Sequence, residues 1–228
     1  MGEPESIKVV LLGETGVGKT SIISQFTKNN FDPHQETSLS AQFISKTLEF
    51  PDLGQSIKFD IWDTVGQEKY RSLAKIFYKD AKVIILVYDV TRQVTFENLK
   101  SYWIEETKAN SDGNAIFAVV ANKIDLYQES QVKNEEGKAF ANEIGAIFQG
   151  TSCLSNSGIS TLFDNIGKKY LIPGYNYESD DKKAQEEYIK KKKDENIRGK
   201  KRMENKDKKG MKLEEKQLKK KEKKGGFC

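Results

Sequence analysis

The chain has 228 residues, room for one domain and an appendage, with 38 Lys and Arg against 34 Asp and Glu and a formal net charge of +4. The charge is unevenly placed: residues 1–172 carry 18 basic and 22 acidic side chains, residues 173–228 carry 20 and 12. An acidic body with a basic tail disfavours a globular nucleic-acid surface, Cys153, Cys228 and the single His34 cannot supply a Cys/His zinc site or a disulfide framework, and no apolar run approaches the ~18 residues of a membrane span.

Residues 7–12 are an apolar run ending at Gly13, which predicts a buried strand. Residues 20–29 place Ile22, Ile23 and Phe26 at helical spacing. After a polar stretch, residues 41–50 and 56–62 read as two strands around a 51–54 hairpin turn. Residues 83–89 are continuously apolar, the pattern of a strand inside a parallel sheet. Residues 94–107 set Phe96, Leu99, Tyr102 and Trp103 on one helical face. A strand at 115–121, a helix at 135–144, a short strand at 146–150 and a helix at 159–171 complete the pattern. Strands alternating with helices imply an α/β fold with a mostly parallel sheet. Ile172-Pro173-Gly174 closes the last helix. Beyond it 32 of 56 residues are charged, too many to bury a core, so disorder is expected there. Met1 to Ser6 show neither the basic nor the apolar region of a secretory leader.

Three motifs carry chemistry. Gly13-Glu14-Thr15-Gly16-Val17-Gly18-Lys19-Thr20 fits G-x-x-x-x-G-K-[ST] and lies between a strand and a helix. Such a loop curls its N–H groups around phosphate oxygens, with help from the positive helix end. Lys19 can reach the β- and γ-phosphates, and Thr20 can give a hydroxyl to Mg²⁺. Asn122-Lys123-Ile124-Asp125 follows the 115–121 strand, at the carboxyl edge where ligands bind. A carboxylate at Asp125 can accept from the N1–H and N2–H₂ of guanine; adenine lacks that donor pair. Trp62-Asp63-Thr64-Val65-Gly66-Gln67-Glu68 follows the 56–62 strand. There Asp63 can hold Mg²⁺ through water, Gly66 can turn its N–H to a γ-phosphate, and Gln67 can orient an attacking water.

Together these motifs resemble the Ras superfamily, and specifically the Rab small GTPases, over residues 7–172. The stretches Lys58-Phe59-Asp60-Ile61-Trp62-Asp63-Thr64, Glu68-Lys69-Tyr70-Arg71-Ser72-Leu73-Ala74, Phe77-Tyr78-Lys79-Asp80-Ala81 and Ile85-Leu86-Val87-Tyr88-Asp89-Val90-Thr91 carry the Rab likeness. The look is that of endosomal-type Rabs. The resemblance implies a P-loop small-GTPase fold: a six-stranded, mostly parallel sheet flanked by helices. It implies an extension at 1–6, a GTPase domain at 7–172 and a hypervariable tail at 173–228.

The resemblance also implies a ligand set of GTP or GDP with Mg²⁺. The phosphates would be held by Glu14, Thr15, Gly16, Val17, Gly18, Lys19, Thr20 and Ser21, with Gly66 at the γ-phosphate. Phe31 would stack on guanine, with Asn122, Lys123 and Asp125 reading it and Ser152-Cys153 forming the last base loop. Mg²⁺ would be held by Thr20, Asp63 and Ser38, the last standing where the family has Thr. Switch I would cover about 31–43 and switch II 63–78. Catalysis would rest on Gln67 and Lys19, with no arginine finger identifiable in cis. Phe43, Trp62 and Phe77 would be read by effectors, beside an exchange factor, a GTPase-activating protein and an escort or GDI-type chaperone.

Two departures bear on rate. Val65 replaces Ala beside Gln67, and Ser38 loses a methyl, so a GTP-binding module that barely hydrolyses is the second reading. A nucleic-acid-associated NTPase is a third, weakened by the scarcity of aromatics in the tail (Tyr175, Tyr177, Tyr188, Phe227). Cys153 in the base loop raises the expectation of oxidation sensitivity. Cys228 ends the chain without a C-a-a-X box, yet a Rab-type transferase could lipidate it. One lipid with a polybasic segment suffices for attachment, which implies the cytosolic face of an endomembrane.

Overall fold

The computed structural model describes residues 3–35, 42–64, 79–110, 113–172 and 174–176. Six strands form one sheet: β1 (Glu5–Leu12), β2 (Gln42–Phe50), β3 (Gln55–Asp63), β4 (Val83–Asp89), β5 (Ile116–Asn122) and β6 (Ile147–Thr151). Their order is β2-β3-β1-β4-β5-β6, and β3, β1, β4, β5 and β6 run parallel. The short β2–β3 connection can only join antiparallel strands. This is the mostly parallel α/β sheet that the alternation of elements implies. The β2–β3 turn runs from Phe50 to Gln55. It is closed by the Leu53 and Gly54 N–H groups donating to the Phe50 and Pro51 carbonyls.

The central strands are buried on both faces where their residues form continuous apolar runs, Val9–Leu12, Val83–Tyr88 and Ala118–Ala121, rather than alternating. All seven residues of β4 are buried. On one face Val10, Ile84, Leu86 and Val119 pack with Phe96, Leu99, Trp103 and Phe140. On the other Phe26 of α1 (Lys19–Lys28) stacks on Phe163 of the last helix at 3.6 Å between centroids, and Phe59 of β3 meets both edge-on. Each such side chain contributes roughly 1.5–3 kcal/mol on burial.

The 94–107 helix is in fact three pieces: α2 (Gln93–Asn98), a π-helical segment (Leu99–Trp103) and α3 (Ile104–Asn110). Leu99 and Trp103, at either end of the π-helical segment, are both buried in the core while Tyr102 stays half-buried. A 3-10 helix (Ile124–Glu129) follows β5, where no helix is predicted; α4 (Asn134–Glu143) and α5 (Ile159–Leu171) match their patterns to within a residue.

Parallel register decides where the chemistry meets. Leu11 pairs with Asp63, Asp89 with Asn122, and Asn122 with Thr151. The carboxyl ends of β1, β3, β4, β5 and β6 therefore share one edge. Order reverses between β1 and β4, which opens the crevice that α/β sheets use for ligands.

Candidate functional site

The loop after β1 starts at Gly13, whose φ is +144° and whose added Cβ would lie 2.2 Å from the Val87 carbonyl oxygen. Only glycine passes there. The loop ends at Gly18, left-handed at φ +97°, whose carbonyl accepts the Ile22 N–H and starts α1. No acidic side chain stands in the first turn of α1, so its positive end is left uncompensated.

Lys19 is buried, and its Nζ donates to the Gly13 and Glu14 carbonyls at 2.9 and 3.0 Å. Burial lowers its pKa to about 8; the nearby Asp63 and Glu14 charges oppose this, and Arg92 adds to it. The ammonium is thus spread over the loop's own carbonyls. Val17 is buried below the loop, Glu14, Thr15 and Ser21 are half-buried, and Gly16 is exposed at its rim.

Thr20 donates its hydroxyl to Asp63 Oδ2 at 2.6 Å. Asp63 is only 1% exposed, and its Oδ1 has no hydrogen-bond partner among the described residues. Burial raises the carboxyl's pKa, and the Thr20 bond and the Lys19 charge only partly offset it. A carboxylate oxygen without a partner beside a hydroxyl is a hard-oxygen donor set, the kind that fits Mg²⁺.

Asn122 joins three elements. Its Nδ2 donates to the Val17 carbonyl at 2.8 Å, and its Oδ1 accepts from Thr151 at 2.9 Å and, at 3.8 Å, from the Cys153 thiol. Lys123 takes a left-handed φ of +65° and pairs with Asp89 at 2.6 Å. Asp125, half-buried, opens the 3-10 helix. The 152–157 loop is closed by paired Ser152–Ser157 backbone bonds and by the Ser155 N–H on Ser152 Oγ. Gln25 of α1 donates to the Cys153 carbonyl at 2.7 Å, and Asn156 donates to Asn29 at 2.7 Å. These bonds bring the base loop to the end of α1. Phe31 follows two residues later, half-buried.

The phosphate loop, Asp63 and the Asn122–Asp125 segment therefore stand together. Ser38, Val65, Gly66, Gln67, Phe77 and Cys228, residues 36–41 of switch I, most of switch II and nearly all of the tail lie outside the described residues. Of the effector aromatics, Phe43 is 52% exposed and packs against Trp62 at 5.1 Å, with Lys8 over the Trp62 ring. Cys153 runs against the oxidation expectation: it is buried, and burial pushes its thiol up to about 11.

Sequence reading missed Asp89 and Arg92. The Asp89 carboxylate holds Lys123, Thr91 and Arg92 at once. Burial pushes its pKa up, but the bonds from Lys123 and Thr91 outweigh that and hold it below the ordinary value. The signal was available: both residues sit at or just past the carboxyl end of the strand bordering the crevice.

Residues 8–172 match the Ras family. Ras-related protein RabJ of Dictyostelium discoideum is 41% identical over 169 residues, 74% of this chain and 65% of RabJ. Rab5A of Oryza sativa subsp. japonica is 40% identical over 72% of this chain and 79% of its own length. Human Rab-22A is 38% identical over 77% and 89%. With the Gly13–Thr20 loop, the buried Asp63 and the Asn122–Asp125 segment on one sheet edge, and relatives of this kind, the chain belongs to the Ras family and, within it, to the Rab small GTPases.

Proposed function

We propose that this protein is a GTP-dependent switch of vesicle trafficking that binds GTP, hydrolyses it to GDP and engages effectors only in the GTP form. The observation that carries the reading is the shared edge: Asn122 hydrogen-bonds the phosphate loop through Val17 while Thr20 hydrogen-bonds Asp63. One nucleotide can then touch the phosphate loop, the metal donors and the base segment together. Residues 7–172 form the GTPase domain in this reading, 1–6 an extension and 173–228 the tail.

Glu14 to Ser21 hold the phosphates, Lys19 neutralises their charge, and Asn122, Lys123, Asp125, Ser152, Cys153 and Phe31 hold the base. Thr20, Asp63 and Ser38 hold the metal. Bound Mg²⁺ supplies charge neutralisation at the phosphates. Gln67 orients the attacking water, and Gly66 donates to the γ-phosphate. An activating protein would bring an Arg worth ~10³–10⁵ in rate, and an exchange factor would reload the site. GTP orders the switches and hydrolysis releases them.

The Phe43–Trp62 pair, with Phe77, supports an effector surface. The basic tail, with a lipid on Cys228 and an escort or GDI-type chaperone to carry it, would place the protein on the cytosolic face of an endomembrane, endosomal by resemblance. No helix among the described residues is long and apolar enough to cross a membrane. Val65 and Ser38 favour a second reading, a GTP-binding module that hydrolyses weakly.

Competition binding of GDP against ADP, before and after Asp125→Asn, tests the base-reading role. The wild type should prefer GDP strongly and the variant should lose that preference; unchanged selectivity would refute it.

A further inference from the structure

Arg92 lies three residues past β4, outside every nucleotide motif, yet its guanidinium bonds one of them and shares a carboxylate with another. Nε pairs with Asp89 Oδ2 at 3.2 Å. The same carboxylate oxygen accepts Lys123 Nζ from the base segment. On the other side of the fork, Nη2 donates to the Thr15 carbonyl of the phosphate loop at 2.9 Å. Nη2 also stands 3.6 Å from where a Cβ on Gly16 would lie, so the charge sits against the flank of the loop.

Two physical consequences follow. A trans peptide is planar, with its C=O and N–H pointing in opposite directions. Holding the Thr15 carbonyl toward Arg92 therefore turns the Gly16 N–H, in the same peptide unit, to the other side. A charge-assisted bond fixes that orientation more firmly than a neutral one. The second consequence is electrostatic. Lys19 itself feels the Arg92 charge, so an anion in the loop feels it too, with the opposite sign.

We propose that Arg92 is a positioning residue for nucleotide phosphates: it braces the Thr15–Gly16 peptide against Asp89 and Lys123 and adds a cation at the loop's flank, slowing nucleotide release. The inference rests on reading Gly13–Thr20 as a phosphate cradle. Lysine could keep the charge but cannot reproduce a fork with one prong on a carboxylate and the other on a carbonyl.

The test is the release rate of fluorescent GDP from the full chain, for wild type, Arg92→Gln and Arg92→Lys. Arg92→Gln should release GDP about tenfold faster, the scale of one lost charge-assisted bond. Arg92→Lys should fall between it and wild type. Melting of each GDP-bound variant confirms that the fold is kept. If Arg92→Gln releases GDP at the wild-type rate, or Arg92→Lys as fast as Arg92→Gln, the proposal is overturned. A wild-type chain that holds no GDP would instead overturn the phosphate-cradle reading, and this inference with it.

Discussion

Thr20 stands in the first turn of α1 and Asp63 at the end of β3, yet the Thr20 hydroxyl donates to Asp63 Oδ2 and leaves Oδ1 buried without a partner among the described residues. A buried carboxylate oxygen left without a hydrogen bond costs stability unless something of opposite charge approaches it. A divalent cation would supply that opposite charge. Asp63→Ala should weaken Mg²⁺ retention about 10- to 100-fold, the scale seen when a metal site loses a supporting group. GDP release measured with and without EDTA reads this directly. Chelator should speed release from wild type and add little to the variant. Equal chelator sensitivity in both would remove Asp63 from the metal site.

Asn122→Ala removes a side chain that satisfies the Val17 carbonyl and the Thr151 hydroxyl, both buried. Leaving these groups unpaired should cost about 2 kcal/mol or more in urea unfolding of the GDP-bound protein. The same change should accelerate GDP release, because the phosphate loop loses its anchor. A variant as stable as wild type would mean that water replaces the amide.

Val65→Ala tests the second functional reading. On that reading the two extra methyl groups of Val65 crowd the attacking water, and removing them should relieve it. Single-turnover hydrolysis of GTP should then speed up, with each tenfold in rate corresponding to about 1.4 kcal/mol of barrier. Equal rates in both proteins would show that Val65 does not restrain hydrolysis.

Cys153 gives a pH prediction. Its folded pKa of about 11 lies above the ordinary 9.0, chiefly through burial. Between those values the unfolded chain gives up a proton that the folded chain keeps, so stability falls as pH rises through the window and is fully present below it. Urea midpoints of wild type and Cys153→Ala across that range should converge on the alkaline side. A Cys228→Ser full-length chain should also resist maleimide when native and react when unfolded. Rapid native labelling would show that the buried geometry is wrong.

Much of this was legible before any coordinates. The apolar run from Val83 to Tyr88 announced a doubly covered strand, and glycine spacing announced the loop between β1 and α1. What periodicity could not show is what happens between elements. The π-helical turn at Leu99–Trp103 keeps the same apolar face as an α-helix, so its pattern looks identical. The 3-10 turn at Ile124–Glu129 is set by the left-handed Lys123, not by hydrophobic spacing. Asp89 looked like the polar end of a strand; only parallel register reveals that it faces Lys123 and Arg92. Neighbourhood across strands depends on which edges pair, and nothing within one strand encodes it.

Gly18 ties the Asn122–Asp125 segment to the Gly13–Thr20 loop more tightly than either motif suggests. A Cβ at that position would lie 2.3 Å from Asn122 Nδ2. The glycine thus serves as the socket for an amide 104 positions away in sequence, besides giving its loop a left-handed turn. Any side chain at Gly18 would force the Asn122 amide to move, so a change in one of the two segments at that point calls for a refit of the other, although they are written far apart.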